Sequence, residues 1–125
     1  AAEAARVEAE ATYQAALALP NVREDTRYYA KLRYNYGISL LYTQPRLARE
    51  SFLVAIEFNG EYAQAFNNLG AACVHMAQAP HPGEDPVASL EQAAEAFAWA
   101  AELDPGFRDP RVNLEAVSGH VDVVA

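Results

Sequence analysis

The chain has few of the residues that staple a fold or give it reactive chemistry. It contains one cysteine, Cys73, so no internal disulfide can form and a small disulfide-held secreted scaffold is excluded. Extended β-branched runs are scarce, which argues against a sheet. No apolar run approaches the length of a membrane-spanning helix, so membrane insertion is not expected. Basic residues are few, 9 against 17 acidic ones, for a net charge of −8. A field of that sign repels phosphate backbones and anionic lipid surfaces, so nucleic acid is a poor partner and none is expected. No Ser-His-Asp or Cys-His arrangement, glycine-rich phosphate loop or paired-carboxylate cleft can be found. The chain therefore reads as non-enzymatic, with no cofactor. The opening stretch, "AAEAARVEAEATYQAALAL", alternates charge with alanine and lacks the apolar core of a signal peptide, which makes the cytoplasm the expected compartment.

What the chain does have is alanine and repetition. Hydrophobic residues are 52% of its 125 positions, enough for one domain with a modest core. Clusters such as Ala93-Ala94-Glu95-Ala96 favour helix, since alanine has the best helix propensity. "RYNYGISLLY" (Arg33 to Tyr42) matches "FNNLGAACVH" (Phe66 to His75), pairing Asn35 with Asn68 and Gly37 with Gly70, 33 residues apart. A second element repeats out of phase with the first. "LARESFLVAIEFN" matches "QAAEAFAWAAELD", aligning Ala48, Phe52 and Ala55 with Ala93, Phe97 and Ala100; Ala9, Tyr13 and Ala16 form a weaker copy. Positions i, i+4 and i+7 share one helical face, so these stretches carry a small–large–small stripe. A glycine inside a helix costs about 1 kcal/mol against alanine, and Gly37 and Gly70 are expected to offset it by admitting a closely packed neighbour.

Helices marked "NYG" or "NLG" that pair with helices marked A-x3-F-x2-A, with "ELDP" at Glu102 to Pro105, resemble the tetratricopeptide repeat. The resemblance covers nearly the whole chain. It implies an all-α fold: a right-handed α-solenoid of antiparallel helix hairpins, about six helices in one domain spanning 1–125. On this reading a half-repeat covers about 2–18, a first hairpin about 26–59, and a second about 62–104. A final A-like helix covers about 108–118, ended by Gly119 with a frayed tail. Asp25 or Thr26 is the expected cap of the first A helix, and Pro45 the start of its partner. Ala48 and Ala93 are 45 residues apart, about eleven more than the roughly 34-residue period of the family. Gly37 to Ala48 is 11 residues but Gly70 to Ala93 is 23, so an insertion is expected at about 78–88. Its prolines, Pro80, Pro82 and Pro86, suggest an ordered flap beside His75, edging a binding groove.

The resemblance also implies a function, that of a non-catalytic protein–protein interaction module whose concave A-helix face grips a protein or peptide partner. Carried over by position, that face is Lys31, Tyr34, Asn35, Ile38 and Tyr42; then Gln64, Asn67, Asn68, Ala71 and His75; then Asp109, Val112, Asn113 and Ala116. Amides there suit an extended backbone and tyrosines suit side chains, although asparagine before the glycine motif is also simply common in the family. A clamp for a C-terminal carboxylate is not implied, because Tyr34, Asp109 and Asn113 stand where basic residues would be needed. The second reading is an assembly unit that forms homo-oligomers through its open ends. His75, His81, Glu84 and Asp85 lack the spacing of a metal site, and none is expected. Cys73 and Tyr36 fall at core positions. Tyr28 and Tyr29 belong under the preceding loop, and Trp99 points away from the Phe97 stripe.

Overall fold

A computed structural model of the protein describes residues 2–124, with side-chain surroundings for residue 4 and residues 7–119. Among the described residues there is no strand. Six α-helices follow one another: α1 (Ala2–Leu17), α2 (Thr26–Leu40), α3 (Pro45–Phe58), α4 (Ala63–Gln78), α5 (Pro86–Leu103) and α6 (Asp109–Val124), with a single 3-10 turn at Val22–Glu24. Each packs on its neighbours in chain order.

The helix starts are written in local chemistry. Asp25 caps α2, its carboxylate accepting the Tyr28 N–H at 3.0 Å. Pro45 opens α3 in the first turn, where its missing N–H leaves no intrahelical bond unmade. Asp85 and Pro86 combine both devices at α5, with Val87 N–H donating to Asp85 Oδ1 at 3.0 Å. Pro80 disfavours helical dihedrals at the residue before it, and α4 ends just ahead of Ala79.

Two helix pairs carry the core. Between α2 and α3, Tyr29 lies on Phe58 with ring centroids 4.6 Å apart, Ser51 Oγ donates to the Arg33 carbonyl at 2.7 Å, and Gly37 faces Phe52. Between α4 and α5, Phe66 meets Trp99, Gly70 faces Phe97, and the Cys73 thiol lies 3.4 Å from Gln92 Oε1. From Tyr29–Phe58 to Gly37–Phe52, and from Phe66–Trp99 to Cys73–Gln92, one residue number rises as the other falls, so the helices of each pair are antiparallel. The glycines are there for the rings. A Cβ on Gly37 would stand 2.6 Å from the Phe52 ring, and one on Gly70 would stand 2.6 Å from Phe97 Cδ1. Phe52 and Phe97 are 0% and 2% exposed, flanked by the fully buried alanines of their stripes. Burying such a ring contributes roughly 1.5–3 kcal/mol, more than the propensity lost at the glycine.

The extra residues of the second pair are not all loop. Gly37 lies three residues from the end of α2, whereas Gly70 lies eight from the end of α4. Ala48 comes three residues after Pro45, and Ala93 seven after Pro86. The loops themselves are 41–44 and 79–85. Most of the added length therefore extends both helices beyond the Gly70–Phe97 contact, and the loop gains only three residues. In place of a flap there is a longer hairpin with a short tip. That tip is held on α3: Arg46 donates to both Glu84 oxygens (2.7 Å from Nε to Oε2) and to the Ala79 carbonyl at 3.0 Å. The His81 N–H adds a bond to Glu84 at 2.8 Å, and Gly83 takes the left-handed conformation (φ 86°) that the turn needs.

Gly119 does not end the last helix, and α6 runs through it to Val124. Its φ is not left-handed, and no side chain approaches where its Cβ would be. A glycine so placed costs about 1 kcal/mol of propensity, too little by itself to stop a helix.

Candidate functional site

Side chains join every second helix. Tyr34 of α2 reaches Asn68 of α4, whose Nδ2 donates to the phenolic oxygen at 3.1 Å. Tyr42, in the turn after α2, sets its ring edge-on to His75 of α4 with centroids 5.2 Å apart. Asn113 of α6 donates to Asn67 Oδ1 of α4 at 3.0 Å. The A-helix residues of α2, α4 and α6 thus adjoin.

Within that row the side chains divide into two groups. Lys31, Ile38, Tyr42, Gln64, Asp109, Val112 and Ala116 are exposed, Tyr42 by as much as 80%. Tyr34, Asn35, Asn68, Ala71, His75 and Asn113 are half-buried, and Asn67 is buried. The second group spends much of its bonding on the protein itself. Tyr34 packs on Phe52 and Tyr62, with centroids 5.9 and 4.8 Å away, and burial pushes its phenol above the ordinary value. Asn68 Nδ2 also donates to the Gln64 carbonyl at 3.0 Å. Asn67 lies beneath Asn113 and accepts its amide.

Three of the polar groups that join these helices also retain capacity. The Tyr34 hydroxyl accepts from Asn68 but keeps its own proton to donate. The side-chain oxygens of Asn68 and Asn113 accept no bond among the described residues. Beside them stand the apolar Ile38, Tyr42 and Val112. Two acceptors and one donor thus stand next to an apolar border.

Cys73 is fully buried, and burial pushes its thiol up to about 11, which keeps it protonated and un-nucleophilic at neutral pH. Glu84 is taken by Arg46 and the His81 N–H. No three His, Cys, Asp or Glu side chains converge among the described residues. No described helix is long and apolar enough to cross a membrane.

Some residues that matter here carried little signal in the sequence. Tyr62, against Tyr34, precedes its helix and belongs to neither repeated stripe. Arg46 is an ordinary first-turn arginine until Glu84 arrives from 38 residues away. Tyr29 is buried under Arg23 of the preceding 3-10 turn, 5.5 Å over its ring, whereas its neighbour Tyr28 is exposed. Tyr36 is half-buried, its ring 5.9 Å from Tyr13 of α1. No protein-family model matches the chain, and no curated protein sequence matches it.

Proposed function

We propose that the chain is a tetratricopeptide-like module, a right-handed stack of helix hairpins that binds an extended segment of a partner protein along the α2/α4/α6 row and catalyses nothing. One observation carries the reading: the row presents unused hydrogen-bonding capacity at Tyr34, Asn68 and Asn113 next to exposed Ile38, Tyr42 and Val112. Extended peptides are held in this way, by bonds to their backbone and pockets for their side chains.

Tyr34 and Asn67 are poor places to test this, because both also hold helices together. Exposed residues are better. Short random peptides on a display library would be selected on the immobilised chain, using Ile38→Asp/Tyr42→Ala/Val112→Asp as the counter-target. The expected outcome is a family of peptides that bind the native chain and lose the triple variant. Equal binding to both would refute the row as the site. Light scattering on the same samples addresses assembly, since a mass that rises with concentration would favour self-association instead.

A further inference from the structure

We infer that α3 and α5 form a second docking surface, separate from the α2/α4/α6 row and suited to a cationic segment of a partner protein that carries a bulky apolar side chain among its charges. The surface centres on a cleft of about 190 Å³ between the two helices, floored by Phe66 and Leu69 of α4 and walled by Leu53 and Trp99. Trp99 is 49% exposed and lies nearly parallel to Phe66, with centroids 6.3 Å apart and planes at 28°. Leu53, across from it, is 37% exposed. A large aromatic held rigid by stacking, yet left half in water, has the geometry of an anchor pocket for a partner's side chain.

The charge around the cleft chooses the partner. On α3, Leu53 lies between Glu50 and Glu57, three and four residues away, so all three share a face. On α5, Glu91, Glu95, Trp99 and Glu102 follow one another at helical spacing. All five glutamates are exposed, and none of their carboxylates has a hydrogen bond or ion pair among the described residues. The two helices carry no lysine; Arg46 is paired with Glu84, and Arg49, which donates to the neutral Gln92 Oε1 at 2.8 Å, leaves one positive charge against the five glutamates. The acidic border therefore keeps a net negative charge on these two helices, five glutamates against Arg49. A second copy would bring the same five glutamates, so like-charge repulsion disfavours self-pairing here. An anionic surface is disfavoured for the same reason. A basic segment gains from both features, its charges meeting the glutamates as its apolar residue enters between Leu53 and Trp99.

Trp99 is the only tryptophan, so its emission reports the cleft directly. The probe is a tryptophan-free synthetic peptide with lysines and arginines on either side of a central Phe-Leu pair. The expected result is a saturable blue shift of Trp99 emission that weakens as salt rises. Replacing Phe-Leu by Gly-Ser, Leu53 by Ser, or Glu91 and Glu95 by Lys should each weaken binding about tenfold or more. Ile38→Asp/Tyr42→Ala/Val112→Asp should leave it unchanged. No saturable shift, equal binding of the Gly-Ser peptide, or equal binding by either cleft variant would overturn the proposal. Loss of binding in the α2/α4/α6 triple variant would overturn the independence of the two surfaces. Leu53, Glu91 and Glu95 are exposed, and unchanged circular dichroism of these variants keeps the comparison valid.

Discussion

A ring seated on a glycine is the smallest unit of this fold, and its two halves depend on each other. Phe52→Ala and Phe97→Ala each empty a fully enclosed site and should cost roughly 3–5 kcal/mol in chemical denaturation. Gly37→Ala or Gly70→Leu forces the ring off its seat, because the added carbon meets the ring itself rather than the free end of a flexible chain. The two kinds of damage should not add. In the Phe52→Ala background the extra methyl of Gly37→Ala enters vacated space, so a double-mutant cycle should show coupling of about 1 kcal/mol or more. Strict additivity would mean that the glycine and the ring act separately. This unit was legible in the sequence because small and large residues recur at spacings that only one helical face satisfies. The asparagines were less legible. Asn35, Asn67, Asn68 and Asn113 share one residue type, yet Asn67 is buried beneath Asn113 while Asn68 keeps a free oxygen, a difference set by contacts 34 and 46 residues away.

At the level of helices and loops, punctuation was readable and length was not. Asp25, Pro45 and Pro80 mark starts and stops by chemistry that acts within a few residues, whereas Asp85 and Pro86, which the spacing assigns to the insertion, open α5. The spacing between motifs could not say whether extra residues lengthen a helix or a turn, and here most lengthen helices. Gly119 misleads for a related reason: a glycine ends a helix when its backbone turns left-handed, and this one does not. The loop 79–85 has a testable tie. The Arg46 guanidinium, with the His81 N–H, holds the Glu84 carboxyl down at about 2 against an ordinary 4.5. A carboxylate held low contributes stability that is present above its unfolded value and lost as pH falls through its folded one. The native chain should therefore lose stability relative to Glu84→Gln between about pH 4.5 and about pH 2. Urea midpoints across that window would show the gap between the two proteins closing. A constant gap would mean that the ion pair, which is partly exposed, contributes nothing.

For the molecule as a whole, its acidity and its packing order set what it can do. The charge of −8 disfavours anionic partners, and the five exposed glutamates of α3 and α5 concentrate that bias on two helices. The packing order bears on how the fold comes apart. Helices that lean on their chain neighbours open one after another rather than together, and the least supported should open first. Among the described residues α1 meets the rest chiefly through Tyr13 and Gln14 on Tyr36, whereas α4 is buried along several faces. Amide hydrogen exchange should accordingly be fastest in α1 and slowest in α4 around Leu69 to Cys73. Uniform protection across the six helices would show a single all-or-none unit instead.

Seating each ring on a glycine of the preceding helix also decides how the protein answers to force. Because the two helices of a pair run antiparallel and are joined at one end, tension between the chain termini loads their contacts one at a time, as in opening a zipper. It does not shear the whole interface at once. Each ring leaving its glycine would be a separate yield point, so a single-molecule extension trace should show steps of hairpin size. The longer α4–α5 pair would give the longest of them, because it has more helix to pay out after its ring has let go. Such a module is compliant in series: it can lengthen under load one hairpin at a time while the remaining hairpins keep their shape.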